Sequence, residues 1–292
     1  MSDVFCYGAI SLDVSGRLER PLHEYEQATA IDYRMSPGGD ATLVAMMLSS
    51  LGLEVTLAGS PIGEDVIGEH LLRLLEKEGV KVVVPRIGKT AITAIVLDGK
   101  KRSTITFHDV TPEEEIPIPM EDLELSRYVY VDGCFGRNGA IIAKAAREKG
   151  IDAQLNLDLP SMRSIGLFGT IIASEPVSRH ISPDPDEATR KIFSMNGGVA
   201  IVTLGEKGCV CNYGKPLRVP AFIVEEADTT GAGAAFAAGY IYARLKGKPL
   251  EARLEFAAAA GAIKAMSRGS YVRLSESGII DFIKSHKNPC RP

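Results

Sequence analysis

The stretch Ala227-Asp228-Thr229-Thr230-Gly231-Ala232-Gly233-Ala234-Ala235-Phe236-Ala237-Ala238-Gly239 is a polar, glycine-bearing turn that runs straight into an apolar helix. Such a junction presents several backbone N–H groups and the positive end of a helix dipole to an anion. Gly231 and Gly233 carry no Cβ, so a phosphate can approach the backbone closely. The helix that follows spans residues 231–245 by its apolar pattern, and a second one spans 250–266.

Working outward from this turn, strand-like and helix-like stretches alternate. Short apolar strands are predicted at 4–9, 54–59, 128–132, 153–157, 170–173 and 199–204. Helices are predicted at 40–51, 64–78 and 138–149, each stopped by a glycine (Gly52, Gly79 and Gly150), and a last one at 278–285. This order predicts an α/β fold, a mostly parallel sheet with helices on both faces. Segments 13–35 and 90–108 break the alternation and read as strands alone. In the second, Asp98-Gly99-Lys100-Lys101 separates two β-rich runs, a hairpin signal. Together they predict a small sheet acting as a lid on one domain spanning 1–292. No linker, low-complexity tract or internal repeat divides the chain.

The totals narrow the function. The 292 residues are 45% hydrophobic and 24% charged, enough for a large core. Net charge is −4 with no basic run, which argues against a nucleic-acid partner or an anionic membrane surface. No apolar run is long enough to span a bilayer, and Met1-Ser2-Asp3-Val4-Phe5 is no secretory signal, so a cytoplasmic protein is expected. The five cysteines (Cys6, Cys134, Cys209, Cys211 and Cys290) form no paired zinc pattern and read as reduced, incidental thiols.

A second glycine motif lies upstream. Ser36-Pro37-Gly38-Gly39-Asp40 leads into the helix at 40–51, and Gly59-Ser60-Pro61-Ile62-Gly63-Glu64-Asp65-Val66-Ile67-Gly68 follows the next strand. Taken alone, a double glycine only marks a turn. In this order and spacing, the two motifs resemble the paired signatures of the ribokinase-like (PfkB) carbohydrate kinase family, and the resemblance runs from Asp13 to the Arg268-Gly269 turn. It implies a three-layer αβα sandwich with a small β-lid, and an ATP-dependent kinase acting on a hydroxyl of a sugar, sugar derivative or nucleoside. Mg²⁺ comes with ATP. The resemblance adds K⁺ near the Asp228 turn and a homodimer formed through the lid.

It also implies residue roles. Gly231, Ala232 and Gly233 form an anion hole for the transferring phosphoryl group. Asp13, Gly38, Gly39 and Asp40 contact the acceptor, with Arg137 and Asn138 as further candidates. Ser174, Thr203, Gly205, Gly208, Asp228 and Thr229 serve the nucleotide, and Glu175 reaches magnesium weakly, through water. On residue type alone, Asp13 and Arg137 are as readily solvated side chains, and Thr203 to Gly208 is as readily a plain hairpin. Leu43 and Ser174 stand where the family often has asparagine, and Val177 where it has glutamate. Gly88-Lys89-Thr90 looks like the end of a P-loop but lacks the earlier glycine (Val83 is there) and precedes a strand, so it is rejected.

The family signature ends in a catalytic aspartate, and this chain has Ala234 there. An alanine cannot take a proton. The intact 231–233 cradle favours a base removed by design from a working kinase over a natural pseudokinase that only binds sugar or nucleoside. The low aromatic content (6%, no Trp) favours a sugar-type acceptor over a base-bearing one.

Overall fold

The computed structural model describes residues 2–20, 27–98, 101–109 and 113–286, without the side chains of Lys101 and Arg102. The Gly99-Lys100 turn, part of the 13–35 segment, the Arg102 side chain and Cys290 therefore lie outside the described residues.

The chain starts with β1 (Val4–Gly8), β2 (Ser11–Leu18), β3 (Ala30–Gly38), α1 (Asp40–Ser50), β4 (Val55–Gly59), α2 (Val66–Lys77) and β5 (Val80–Val82). Next come β6 (Ile92–Asp98), β7 (Lys101–Phe107), α3 (Met120–Glu124), β8 (Tyr128–Asp132), α4 (Gly136–Glu148) and β9 (Asp152–Leu157). They are followed by β10 (Thr170–Ser174), α5 (Glu175–Ser178), α6 (Pro185–Asn196), β11 (Val199–Thr203), β12 (Cys209–Asn212) and β13 (Pro216–Val219). Three helices close the chain: α7 (Ala232–Leu245), α8 (Leu250–Ala265) and α9 (Glu276–His286).

The main sheet has the order β13-β12-β11-β10-β9-β8-β1-β4-β5. It is parallel from β11 to β5, while β12 and β13 add an antiparallel edge. Alternate residues of β1 face opposite layers, as the two-residue period of a strand requires. Val4 and Cys6 join a core with α1, α7 and α8, while Phe5 and Tyr7 join one with α4 and α6. The two-sided burial explains why β1 reads as a continuous apolar run.

The small sheet has the order β3-β2-β6-β7, with β2 and β6 parallel and its other pairs antiparallel. It draws on both segments that the sequence left without helices. Helix α6 was not anticipated. Its signals are local: Asp184 caps it by accepting from the Asp186 N–H (2.9 Å), and Gly197 ends it at φ 61°. Helices α7 and α8 pack through small residues. A Cβ on Gly239 would stand 2.9 Å from that of Ala260, so glycine lets the two helices approach closely. That packing anchors the helix whose N-terminus carries the glycine turn.

Candidate active site

The C-terminal ends of parallel strands point their loops to one rim, where open α/β sheets bind ligands. There the loops after β1, β8 and β10 and the N-termini of α1 and α7 surround a cleft of ≈ 880 Å³. The small sheet forms its other wall. Asp13, Gly39, Asp40, Ser174, Thr229, Gly231, Gly233 and Ala234 all border this cleft. A second cleft, of ≈ 270 Å³, lies on the far side of the α7 N-terminus. Thr203, Gly205, Gly208 and Ala232 border it, between apolar walls that include Phe222, Val224 and Phe236. Thr229 and Gly233 border both.

The turn between the clefts is tightly specified. The Asp228 carboxylate accepts from the Thr230 N–H (2.9 Å) and the Gly269 N–H (3.0 Å), so it holds the turn's shape and borders neither of the two clefts. Gly231 caps α7 in the left-handed region, at φ 82°. The Ala232 N–H is turned back onto the Thr229 carbonyl (3.1 Å), which removes one of the three predicted anion-hole donors. Gly231, Gly233 and Ala234 remain first-turn amides, whose acceptors cannot come from within the helix. Ala234 is buried against the cleft floor with only a methyl group to offer.

On the acceptor side, Asp13 receives the Ser11 hydroxyl at 2.9 Å, and Thr93 donates to Ser11 at 3.3 Å. Gly38 lies beneath this carboxylate. A Cβ there would stand 1.8 Å from Asp13 Oδ1, so the glycine makes room for the side chain and does not itself border the cleft. The buried carboxylate of Asp132 accepts from the Ala9 N–H (3.1 Å) and the Cys134 N–H (3.2 Å), fixing two loops of the rim. Burial pushes its carboxyl above the usual range, against the pull of those two bonds.

Arg137 and Glu175, like Gly38 and Asp228, border neither cleft. Arg137 pairs with Glu114 at 3.2 Å, and Glu175 with Arg179 at 2.9 Å. Asn138 is buried and donates to Tyr7 Oη (2.7 Å) and the Glu113 and Ile116 carbonyls. Its job is to hold α4 in place. Thr203 to Gly208 is indeed a hairpin, joining β11 and β12, and it borders the second cleft as well. Gly88 turns at φ 65° and leads by way of Lys89 and Thr90 into β6, so no P-loop forms, yet Gly88 and Lys89 border the main cleft.

Sequence reasoning missed the hydroxyl row Ser11, Thr93, Thr104 and Thr106 on the cleft side of the small sheet. Its signal is the alternation Ile92-Thr93-Ala94-Ile95 against Ser103-Thr104-Ile105-Thr106, which places the threonines on one face. It also missed Lys264, whose buried ammonium donates to the Asp228 carbonyl (2.9 Å) and the Ser267 carbonyl (3.0 Å). Among the described residues, no group of three or more His, Cys, Asp and Glu side chains could hold a metal ion, and no helix is long and apolar enough to cross a membrane.

Known proteins resemble this chain in sequence and in fold. The chain is 27% identical to the ATP-dependent ribose-1-phosphate kinase of Halopiger xanaduensis over 281 residues, covering 92% of this chain and 94% of that one. Its fold superposes on Thermotoga maritima ribokinase with a TM-score of 0.83 at 20% identity, covering 97% and 100% of the two chains. It superposes on Arabidopsis thaliana ribokinase, solved with ribose and ATP, with a TM-score of 0.78 at 20% identity, covering 97% and 99%. The model of the pfkB family carbohydrate kinases matches residues 1–276, and the chain belongs to that family.

Proposed function

We propose that this chain moves the γ-phosphoryl group of ATP onto a hydroxyl of a sugar or sugar derivative, and that Ala234 makes it a strongly impaired form of that kinase. One observation carries the reading: the α7 N-terminus is shared between two clefts, so an acceptor in one and a nucleotide in the other would meet at Gly233. The apolar slot between Phe222, Val224 and Phe236 suits a nucleobase, and the amides of Gly231, Gly233 and Ala234 suit its phosphates. When bound, ATP supplies the phosphoryl group and Mg²⁺ offsets its charge; with no metal-holding group of three side chains among the described residues, phosphate oxygens and water would hold most of the metal's shell.

The chain's own residues then do four things. Asp13 and Asp40 accept hydrogen bonds from acceptor hydroxyls. The threonine row completes a polyol-binding wall. The first-turn amides stabilise charge as the acceptor oxygen bonds to phosphorus and the bond to the β-phosphate oxygen breaks. The hydroxyl proton finds no carboxylate at 234 and must leave to water. The Asp228 turn, with Gly231 and Gly233 still bordering the main cleft, supports removal of the base from a working kinase.

A nucleoside acceptor is the alternative. Phe135 is the one Phe, Tyr or Trp side chain bordering the main cleft among the described residues, which favours the sugar reading. The reading of another class, a non-catalytic binder, rests on Ala234 and on Ser174 where the family often has asparagine. We also infer a homodimer through the outer face of the small sheet, and a cytoplasmic location.

The test compares this chain with Ala234→Asp for ATP-dependent turnover across sugars, sugar phosphates and nucleosides. A restored general base should raise turnover of one acceptor by ~10²–10⁴. If neither form turns over any acceptor while this chain still binds one in calorimetry, the binder reading replaces the kinase.

A further inference from the structure

The Asp228 turn is where family resemblance implies a bound K⁺. The residues present do not fit one. Around the turn, three carbonyl oxygens that face the Asp228 segment already accept from protein donors. Ala265 O accepts from the Ala227 and Asp228 N–H groups (2.8 and 3.1 Å), and Asp228 O and Ser267 O accept from the Lys264 ammonium (2.9 and 3.0 Å).

Lys264 is 0% exposed, an unusual state for a lysine, which is seldom fully buried without partners. It sits in the last turn of α8, where the helix dipole favours a positive charge. Burial pulls its pKa below the ordinary lysine value, and the Asp228 carboxylate works against that pull. An ammonium and a monovalent cation of similar size compete for the same carbonyl oxygens. A second cation beside this one would face direct repulsion.

We propose that the Lys264 ammonium is a tethered replacement for the monovalent cation, so that the phosphate cradle is held without K⁺. The mechanical link is short. Lys264 ties Asp228 to the 267–270 loop. That loop returns the Gly269 N–H to the Asp228 carboxylate, and its Ser270 carbonyl lies against Gly231. Whatever fixes this junction fixes the amides at the head of α7. The inference rests on the nucleotide reading of that cradle only for its functional consequence.

The experiment measures melting temperature and the affinity for a non-hydrolysable ATP analogue in KCl, NaCl and choline chloride at equal ionic strength. The intact chain should give the same values in all three. Lys264→Ala should melt several degrees lower in choline and bind the analogue about tenfold more weakly or worse, with KCl restoring both more than NaCl does. Lys264→Met, which keeps the bulk without the charge, should lose affinity and gain nothing from K⁺.

A saturable, K⁺-specific rise in the intact chain's melting temperature would overturn the proposal. So would unchanged melting and analogue affinity in Lys264→Ala in choline. Should Lys264→Ala fail to fold, the intact chain's salt series and Lys264→Met still decide. If the intact chain binds no nucleotide in any salt, the functional reading of the cradle fails, while the melting measurements still judge the cation.

Discussion

A methyl group built on Gly231 would sit 2.0 Å from the Ser270 carbonyl oxygen, in a backbone conformation of φ 82°. Built on Gly233, it would meet nothing within 4 Å. The two glycines therefore do different work, although the sequence presents them as one motif. Gly231 shapes the turn, and Gly233 leaves open the space where both clefts meet. Gly231→Ala should cost about 2 kcal/mol or more of stability, from a left-handed alanine and the carbonyl clash together. Gly233→Ala should fold at least as well, gaining up to about 1 kcal/mol of helix propensity, yet bind an ATP analogue less well because its methyl stands in the ligand's path. Urea denaturation and calorimetry on both variants check this. Undiminished nucleotide affinity in Gly233→Ala would mean that no phosphate approaches there.

Asp65 shows how a helix cap can shape the site wall. Its carboxylate caps α2 by accepting from the Gly68 N–H (2.7 Å), and it also accepts from the Thr90 N–H (2.8 Å) and hydroxyl (2.9 Å). It thereby holds the Gly88-Lys89-Thr90 segment against the main cleft. The Thr90 amide, foremost among these bonds, keeps the carboxyl below its ordinary value of 3.8. A carboxylate held low stabilises the fold above that ordinary value and loses its contribution as pH falls below it. Asp65→Ala should cost about 1 kcal/mol at neutral pH. The gap between the two chains should close as acid denaturation series pass below pH 3.8. A gap constant with pH would show that packing, not the charge, is what the substitution removes. Elements such as α2 were legible because their signals are local: an apolar stripe and a glycine stop, although the predicted start at 64 put the Asp65 cap inside the helix. The apolar pattern likewise marks α1, α7 and a mostly parallel sheet, though not its strand order. The threonine row and Lys264 were not legible in this way. Thr93 and Thr106 become a binding wall only through the register between β6 and β7, and a single lysine in an Ala-rich helix looks solvated until the 267–270 loop covers it. Arg137 misled for the converse reason: its place just after β8 made it a candidate, but its side chain pairs with Glu114 away from both clefts.

The small sheet has two faces of opposite character, and the whole molecule depends on both. Its cleft face carries Thr93, Thr104 and Thr106, and residues of the opposite parity form a continuous apolar row across all four strands: Met35, Val14, Ala94 and Ile105 in register. Met35 is 51% exposed, Ile105 55% and neighbouring Phe107 57%. A row of this kind on a two-faced sheet is the sort of surface that a second copy of the chain covers. Sedimentation should therefore show paired chains, and Ile105→Lys should separate them, since burying an unpaired ammonium at such a contact is costly. The melting temperature of the separated chain should change little beyond the loss of pairing, because Ile105 contributes little to the fold's own core. Thr104 and Thr106 flank Ile105 on the cleft side, so separation should also weaken acceptor binding without touching the nucleotide slot between Phe222 and Phe236. Calorimetry with each ligand separates the two effects. If Ile105→Lys still sediments as a pair, the interface lies elsewhere, and the apolar row has no part in assembly.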